Sequence, residues 1–333
     1  MSSPTGPRPP EPAAAPLRPP PPPMPWPQYL QARGLRPRKG LGQHFLIDES
    51  TLARVAEAAG FQPGEWALEI GAGPGTLTRH LALRADRVVA VEIDERFMPL
   101  LREILAPYPN VTVVHGDILQ LDPGALVEGH PYRIVGNIPY FITSAILRRV
   151  MEAVPRPRRV VLTVQHEVAR RLTAGPGAMS LLAVSVQVYG RPQIVARIPA
   201  GAFWPRPEVD SAVVAIDPYE RPAVPLEDPE AFFAVVRAGF GQRRKQLHNA
   251  LAHGLGLPDA VVRAAMVAAG IDPHRRAETL ALSEWAALCD VLRPFLRSGG
   301  GNLPESPAGS GGLPTGSPAR GASHRETDPH PDA

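Results

Sequence analysis

The chain has 333 residues, a single cysteine (Cys289), a formal net charge of +3 and a sequence pI near 9.3. One cysteine excludes an intrachain disulfide and a cysteine-based zinc site, and no apolar run is long enough to span a bilayer. The mild basic bias permits a nucleic-acid partner without requiring one, and the chain reads as a cytoplasmic, metal-free protein, expected to be a monomer. Residues 1–36 are dominated by proline, with an unbroken run from Pro19 to Pro23, and lack the apolar core of a signal peptide. Residues 298–333 are rich in Gly, Ser and Pro. Neither segment carries enough apolar surface to offset the entropy of ordering, so both are expected to be disordered tails.

Between the tails the pattern alternates. Ser50 is an expected N-cap for a helix through Leu52, Val55 and Ala59 that Gly60 closes. Trp66 to Ile70 reads as a strand, followed by a Gly-rich turn and a helix through Leu77 and Leu81. A strand over Arg87 to Glu92, a helix over Asp94 to Leu105 and strands over Val111 to Val114 and Tyr132 to Gly136 come next. Thr143 to Met151 is helical, Arg159 to Val164 is a strand, and His166 to Leu172 is a helix. A helix from Ser180 to Val188 and strands near Ile194 to Ile198 and Ser211 to Ile216 complete a domain over 37–219. Alternation of this kind predicts an α/β fold, a parallel sheet with helices on both faces and ligands at the carboxyl ends of the strands. From 220 to 297 only helices are expected: Phe232 to Ala238, Arg243 to His253, Asp259 to Ala268 and Leu282 to Leu292. These read as a small all-helical C-terminal domain.

Three motifs fall at successive strand ends. Glu69-Ile70-Gly71-Ala72-Gly73-Pro74-Gly75 brings backbone close to a ligand, but Thr76 stands where a dinucleotide fingerprint needs glycine, and Pro74 lacks an amide for a pyrophosphate. Glu92 lies about twenty residues further on, where an acid grips ribose hydroxyls. Gly116-Asp117-Ile118 offers a carboxylate to an adenine amine and an apolar side chain to its ring. Together these predict a nucleoside site suited to S-adenosylmethionine rather than NAD. The fourth strand ends in Asn137-Ile138-Pro139-Tyr140. Alone this is compatible with a strand and a proline turn. Beside a nucleoside site it can hold the exocyclic amine of a base through the Asn137 oxygen and the Ile138 carbonyl, with Tyr140 stacked on the base.

These segments resemble the KsgA/RsmA ribosomal RNA adenine dimethyltransferases. The likeness also takes in Lys39-Gly40-Leu41-Gly42-Gln43-His44-Phe45-Leu46, Gln165-x-Glu167-Val168, Phe203-Trp204-Pro205-Arg206-Pro207 and Phe240-Gly241-Gln242-Arg243-Arg244-Lys245, and spans about 38–295. The resemblance implies a Rossmann-like class I S-adenosylmethionine-dependent methyltransferase with a small C-terminal helical domain. It implies conversion of two adjacent adenines near the 3′ end of 16S ribosomal RNA to N6,N6-dimethyladenine in the small subunit or its precursor. Cofactor contacts then map onto His44, Leu46, Gly71, Gly73, Glu92, Asp117, Ile118 and Asn137. The base-handling group is Asn137, Ile138, Pro139 and Tyr140, with Phe203 on the other face of the base. Lys39, Arg243, Arg244 and Lys245 are candidate phosphate contacts. The chain departs from the family at His44, commonly Asn, at His166, commonly Lys, and in a loop from Ala174 to Ser180 that lacks the usual Tyr-Gly. Two other readings stay open: a 23S ribosomal RNA adenine methyltransferase and an RNA-binding assembly factor without catalysis.

Overall fold

The structure is a computed structural model that describes residues 20–139, 142–242 and 244–297. The first helix, α1 (Trp26–Ala32), lies inside the segment expected to be disordered, and that expectation fails here. Trp26 and Leu30, one helical turn apart, are both fully buried, which supplies the apolar surface that the prolines around them lack. The short strand β1 (Phe45–Leu46) leads into α2 (Glu49–Ala59). Asp48, not Ser50, caps α2, accepting from the Thr51 amide at 2.8 Å, while Ser50 donates to the same carboxylate.

The units that follow alternate: β2 (Trp66–Ile70), α3 (Thr76–Leu81), β3 (Arg87–Glu92), α4 (Met98–Leu105), β4 (Val111–His115), α5 (Pro123–Leu126), β5 (Tyr132–Asn137), α6 (Thr143–Met151), β6 (Val160–Gln165), α7 (His166–Leu172) and α8 (Leu181–Gln187). Strands β7 (Gly190–Ile198), β8 (Phe203–Trp204) and β9 (Ser211–Pro218) come next. Helices α9 (Pro229–Phe240), α10 (Leu247–Leu255), α11 (Asp259–Ala268) and α12 (Leu282–Arg297) end the described chain. The helix expected from Arg243 begins only at Leu247, which leaves Arg244 and Lys245 in the preceding turn.

Seven strands form one sheet in the order β4-β3-β2-β5-β6-β9-β7. The first five are parallel, and β9 and β7 run antiparallel to their neighbours. The chain starts in the middle at β2, winds outward to β4, and returns to β5 on the other side. That reversal opens a crevice at the carboxyl ends of β2 and β5, where open α/β sheets bind ligands. Gly136 allows the two strands to close there, since a Cβ would sit 2.7 Å from the Ile70 carbonyl oxygen. Strand residues alternate between two cores. Leu68, Val89, Ile134 and Leu162 face one layer, and Ala67, Val88, Val135 and Val161 face the other. The first layer continues without a break into Phe232, Leu251, Trp285 and Leu288 of the C-terminal helices, and the second takes in Leu30 of α1.

Candidate active site

The crevice holds a cavity of about 310 Å³. This lies within the range of small-molecule sites, roughly 300–1,000 Å³. Its walls bring together Gly71, Gly73, Glu92, Asp117, Ile118 and Asn137, with His44, Ile138 and Pro139 at one side. The Gly-rich loop is shaped by left-handed backbone at Gly71 (φ 77°), Gly73 (φ 53°) and Gly75 (φ 84°). Its amides are committed within the protein. Gly71 and Ala72 donate to the Val91 carbonyl, Gly73 to Glu92 at 2.6 Å, and Gly75 to the Ala72 carbonyl. Pro74 has no amide, so the loop presents no row of N–H groups to a pyrophosphate.

Glu92 ends β3 with only 5 % of its surface exposed. One carboxylate oxygen accepts from Gly73 and the other from the Asp94 amide at 2.8 Å, and burial raises its pKa against these bonds. Each oxygen keeps lone-pair capacity for a further donor, such as a ribose hydroxyl. Asp117 follows β4 and accepts from the Leu119 amide at 3.0 Å, leaving acceptor capacity at the cavity wall. These groups fit a nucleoside-bearing cofactor: two carboxylates for hydroxyl and amine donors, apolar Ile118 for a base, and no phosphate cradle.

Asn137 ends β5, and its Nδ2 donates to the His44 backbone carbonyl at 2.8 Å. A carbonyl oxygen only accepts, so this bond fixes the amide orientation and leaves Oδ1 without a partner among the described residues. The carbonyl of Ile138 follows in the chain, and its buried side chain anchors the turn in the core.

Two expected residues stand elsewhere. Leu46 is 1 % exposed in the core and does not line the cavity. Phe203 is 3 % exposed, pairs with Leu46 across β1 and β8, and also lies off the cavity wall. In this structure Phe203 is a core aromatic that braces β1. Tyr140, like Arg243, lies outside the described residues. Lys39, Arg244 and Lys245 are exposed. Among the described residues no group of three or more His, Cys, Asp or Glu is placed to hold a metal ion.

Two groups had no role in the sequence reading. Glu69 lines the cavity at 1 % exposure, and burial, aided by the charge of Glu92, pushes its pKa up to about 8. Its signal was a lone acid in an otherwise apolar strand. Asp94 is the hub of the segment over the cavity. Burial opposes its charge, but bonds from Arg96 and Gln43 outweigh that and bring its pKa down to about 2. Gln43 donates to Asp94 at 2.9 Å and accepts from the Arg38 amide at 2.8 Å, tying the Gly40–Phe45 wall to β3.

In comparison with known proteins, residues 34–293 match the ribosomal RNA adenine dimethylase family. The chain belongs to this family. A curated relative named ribosomal RNA small subunit methyltransferase A, from Dehalococcoides mccartyi, is 45% identical over 265 residues, covering 79% of this chain and 91% of the relative. Among solved structures, a dimethyladenosine transferase from Plasmodium falciparum is 25% identical with a TM-score of 0.64, covering 77% of this chain and 98% of its own. The 23S ribosomal RNA methyltransferase ErmE is 33% identical with a TM-score of 0.59, covering 75% and 99%. The fold is that of the class I methyltransferases, and this adenine dimethylase carries its cavity at the strand ends where that fold places ligands.

Proposed function

We propose that this protein dimethylates N6 of two adjacent adenines near the 3′ end of 16S ribosomal RNA, in the cytoplasm, as a monomer acting on the small subunit or its precursor. The observation that carries the reading is the Asn137 carboxamide, fixed by His44 beside the cavity that holds Glu92 and Asp117. S-adenosylmethionine, when bound, supplies an electrophilic methyl group. Glu92 would hold the ribose hydroxyls, Asp117 the adenine amine, and Ile118 one face of its ring, with Gly71 and Gly73 allowing close approach.

The target amine is a poor nucleophile because its lone pair is delocalised into the ring. Oδ1 of Asn137 and the Ile138 carbonyl would accept its two hydrogens and draw the nitrogen toward a tetrahedral shape, freeing the lone pair. Pro139 fixes the turn that presents the Ile138 carbonyl. A base reaching this pocket has left its stack. Once methylated, the amine is strongly acidic and loses its proton without a dedicated base.

Mass mapping of methylated adenines after incubation with small-subunit and large-subunit particles tests the proposal. Dimethylation of adjacent adenines in 16S RNA is expected, and methylation confined to 23S RNA overturns it. The 33% identity to ErmE is the specific reason to include that arm. The exposed pair Arg244 and Lys245, with Lys39, is proposed to meet phosphates. Neutralising Arg244 and Lys245 should reduce the salt slope of RNA binding by about 1.4–1.8, and an unchanged slope rejects the assignment.

A further inference from the structure

His44 joins two parts of the site that the chain keeps far apart. Its ring Nδ1 lies 2.8 Å from the Pro205 carbonyl oxygen, and its own backbone carbonyl accepts from Asn137 Nδ2 at 2.8 Å. The Pro205 oxygen only accepts, so Nδ1 carries the hydrogen and donates. The residue sits one position before β1, whose pairing of Phe45 with Trp204 and Leu46 with Phe203 brings Pro205 opposite it. The imidazole thus ties its own backbone to the segment after β8, and that backbone in turn orients the carboxamide of Asn137.

We infer that His44 is a positioning residue for methyl transfer: its Nδ1–H bond to Pro205 holds the carbonyl that aims Asn137. The inference rests on the proposed role of Asn137 and adds a residue that acts through it. Nδ2 of asparagine and Nδ1 of histidine are both bonded to Cγ, so either can donate from nearly the same point. A carboxylate has the same reach but only accepts, and it would face the Pro205 oxygen with repulsion.

The test uses the full chain and four forms: wild type, His44→Ala, His44→Asp and His44→Asn. Methyl transfer to small-subunit particles and calorimetric binding of S-adenosylmethionine are measured on each. His44→Ala and His44→Asp are expected to lower kcat by about tenfold to a hundredfold, the scale of a misplaced reacting group, with much smaller losses in cofactor affinity. His44→Asn is expected to restore most of the rate lost in His44→Ala. Wild-type kcat in His44→Asp overturns the inference, and so does His44→Asn behaving like His44→Ala. Losses in cofactor affinity that match the losses in kcat overturn it as well, because His44 would then act on the cofactor and not through Asn137.

A second measurement does not depend on activity. Nitrogen-15 NMR should find the neutral His44 ring protonated at Nδ1, with Asn137 side-chain amide protons protected from exchange in wild type and His44→Asn and unprotected in His44→Asp. A ring protonated at Nε2 alone overturns the inference. Failure of the wild type to methylate 16S RNA would instead sink the proposed function, and the NMR arm would still decide whether the bracket exists.

Discussion

The cofactor cavity and the N-terminal arm both bury charge, and they do so in opposite ways. In the cavity, Glu92 is surrounded by backbone amides supplied by tight loops at strand ends. Beneath the arm, Glu49, Arg79 and His80 are brought together by side chains. Glu49 meets His80 at 2.7 Å and Arg79 at 3.6 Å, and Arg79, 2 % exposed, also donates to the Pro22 carbonyl. The Trp26 ring lies 5.4 Å from the Arg79 guanidinium, and Tyr29 and Arg33 of the same arm hold Glu103, each at 2.7 Å. Backbone amides stay in place when one side chain is removed. A cluster of side chains packed under Trp26 loses that cover when the tryptophan is removed. The cavity should therefore lose chemistry on substitution, and the arm should lose stability.

The sharpest separation comes from Asn137→Ala. It removes the acceptor that the proposed mechanism needs and leaves the half-buried end of β5 otherwise intact. Methyl transfer should fall by about a hundredfold or more, with the melting temperature nearly unchanged. Near-normal turnover would break the mechanism and, with it, the claim that the cavity carries the chemistry.

A smaller effect is expected from Glu92→Gln. Glutamine must turn its NH2 toward either the Gly73 or the Asp94 amide, so one donor faces another. Glutamine also offers the ribose hydroxyls one neutral acceptor oxygen in place of two charged ones, and a hydrogen bond to a charged group is worth about 1.5–3 kcal/mol, so cofactor affinity should fall by about tenfold or more. Calorimetry that finds equal affinity would show that Glu92 does not hold the ribose hydroxyls.

On the arm side, Trp26→Ala should cost about 3 kcal/mol, the scale for a buried aromatic. At roughly 2–4 °C per kcal/mol for a chain of this size, the melting temperature should drop by several degrees, with kcat of the folded enzyme held. Lost kcat with unchanged melting would reverse the contrast between the two regions.

The difference also explains what could be read in advance. The cavity was legible because its parts are local: glycines that need left-handed backbone, acids that end apolar strands, an asparagine before Ile-Pro. The sheet was legible because its strands are short apolar runs between amphipathic helices, as strands buried on both faces must be. The antiparallel β9 and β7 look no different in sequence, since pairing direction leaves little local trace. The arm was not legible, because Trp26 and Leu30 are a lone i, i+4 pair inside proline-rich sequence, and their burial depends on surfaces far along the chain. Phe203 is hard to place from sequence for a related reason. An aromatic before a proline reads alike whether it faces a ligand or a core, and only the pairing of β1 with β8 decides. Gln43 and Asp94 lie 51 residues apart, so neither announces the other.

Glu69 gives the finest test, because it is a cavity acid that no backbone amide serves among the described residues. Among them one of its oxygens is also buried without a hydrogen-bond partner, and burial lifts its pKa from 4.5 to about 8. The folded protein then holds a proton that the unfolded chain has released across that interval. Stability must fall as pH rises from about 4.5 to about 8 and level off above it, since the unfolded state binds fewer protons there. Glu69→Gln keeps the size and removes the ionisation, so its melting temperature should vary less between pH 5 and 8 than that of the wild type. The gain over wild type should be largest at pH 8. Asp94 works with the opposite sign, adding stability that is lost only as pH falls from about 3.8 toward 2, so it does not disturb the comparison. A wild-type slope retained in Glu69→Gln would mean that Glu69 is already charged at neutral pH. The cavity would then bury a carboxylate as the arm does, with no backbone amide to hold it.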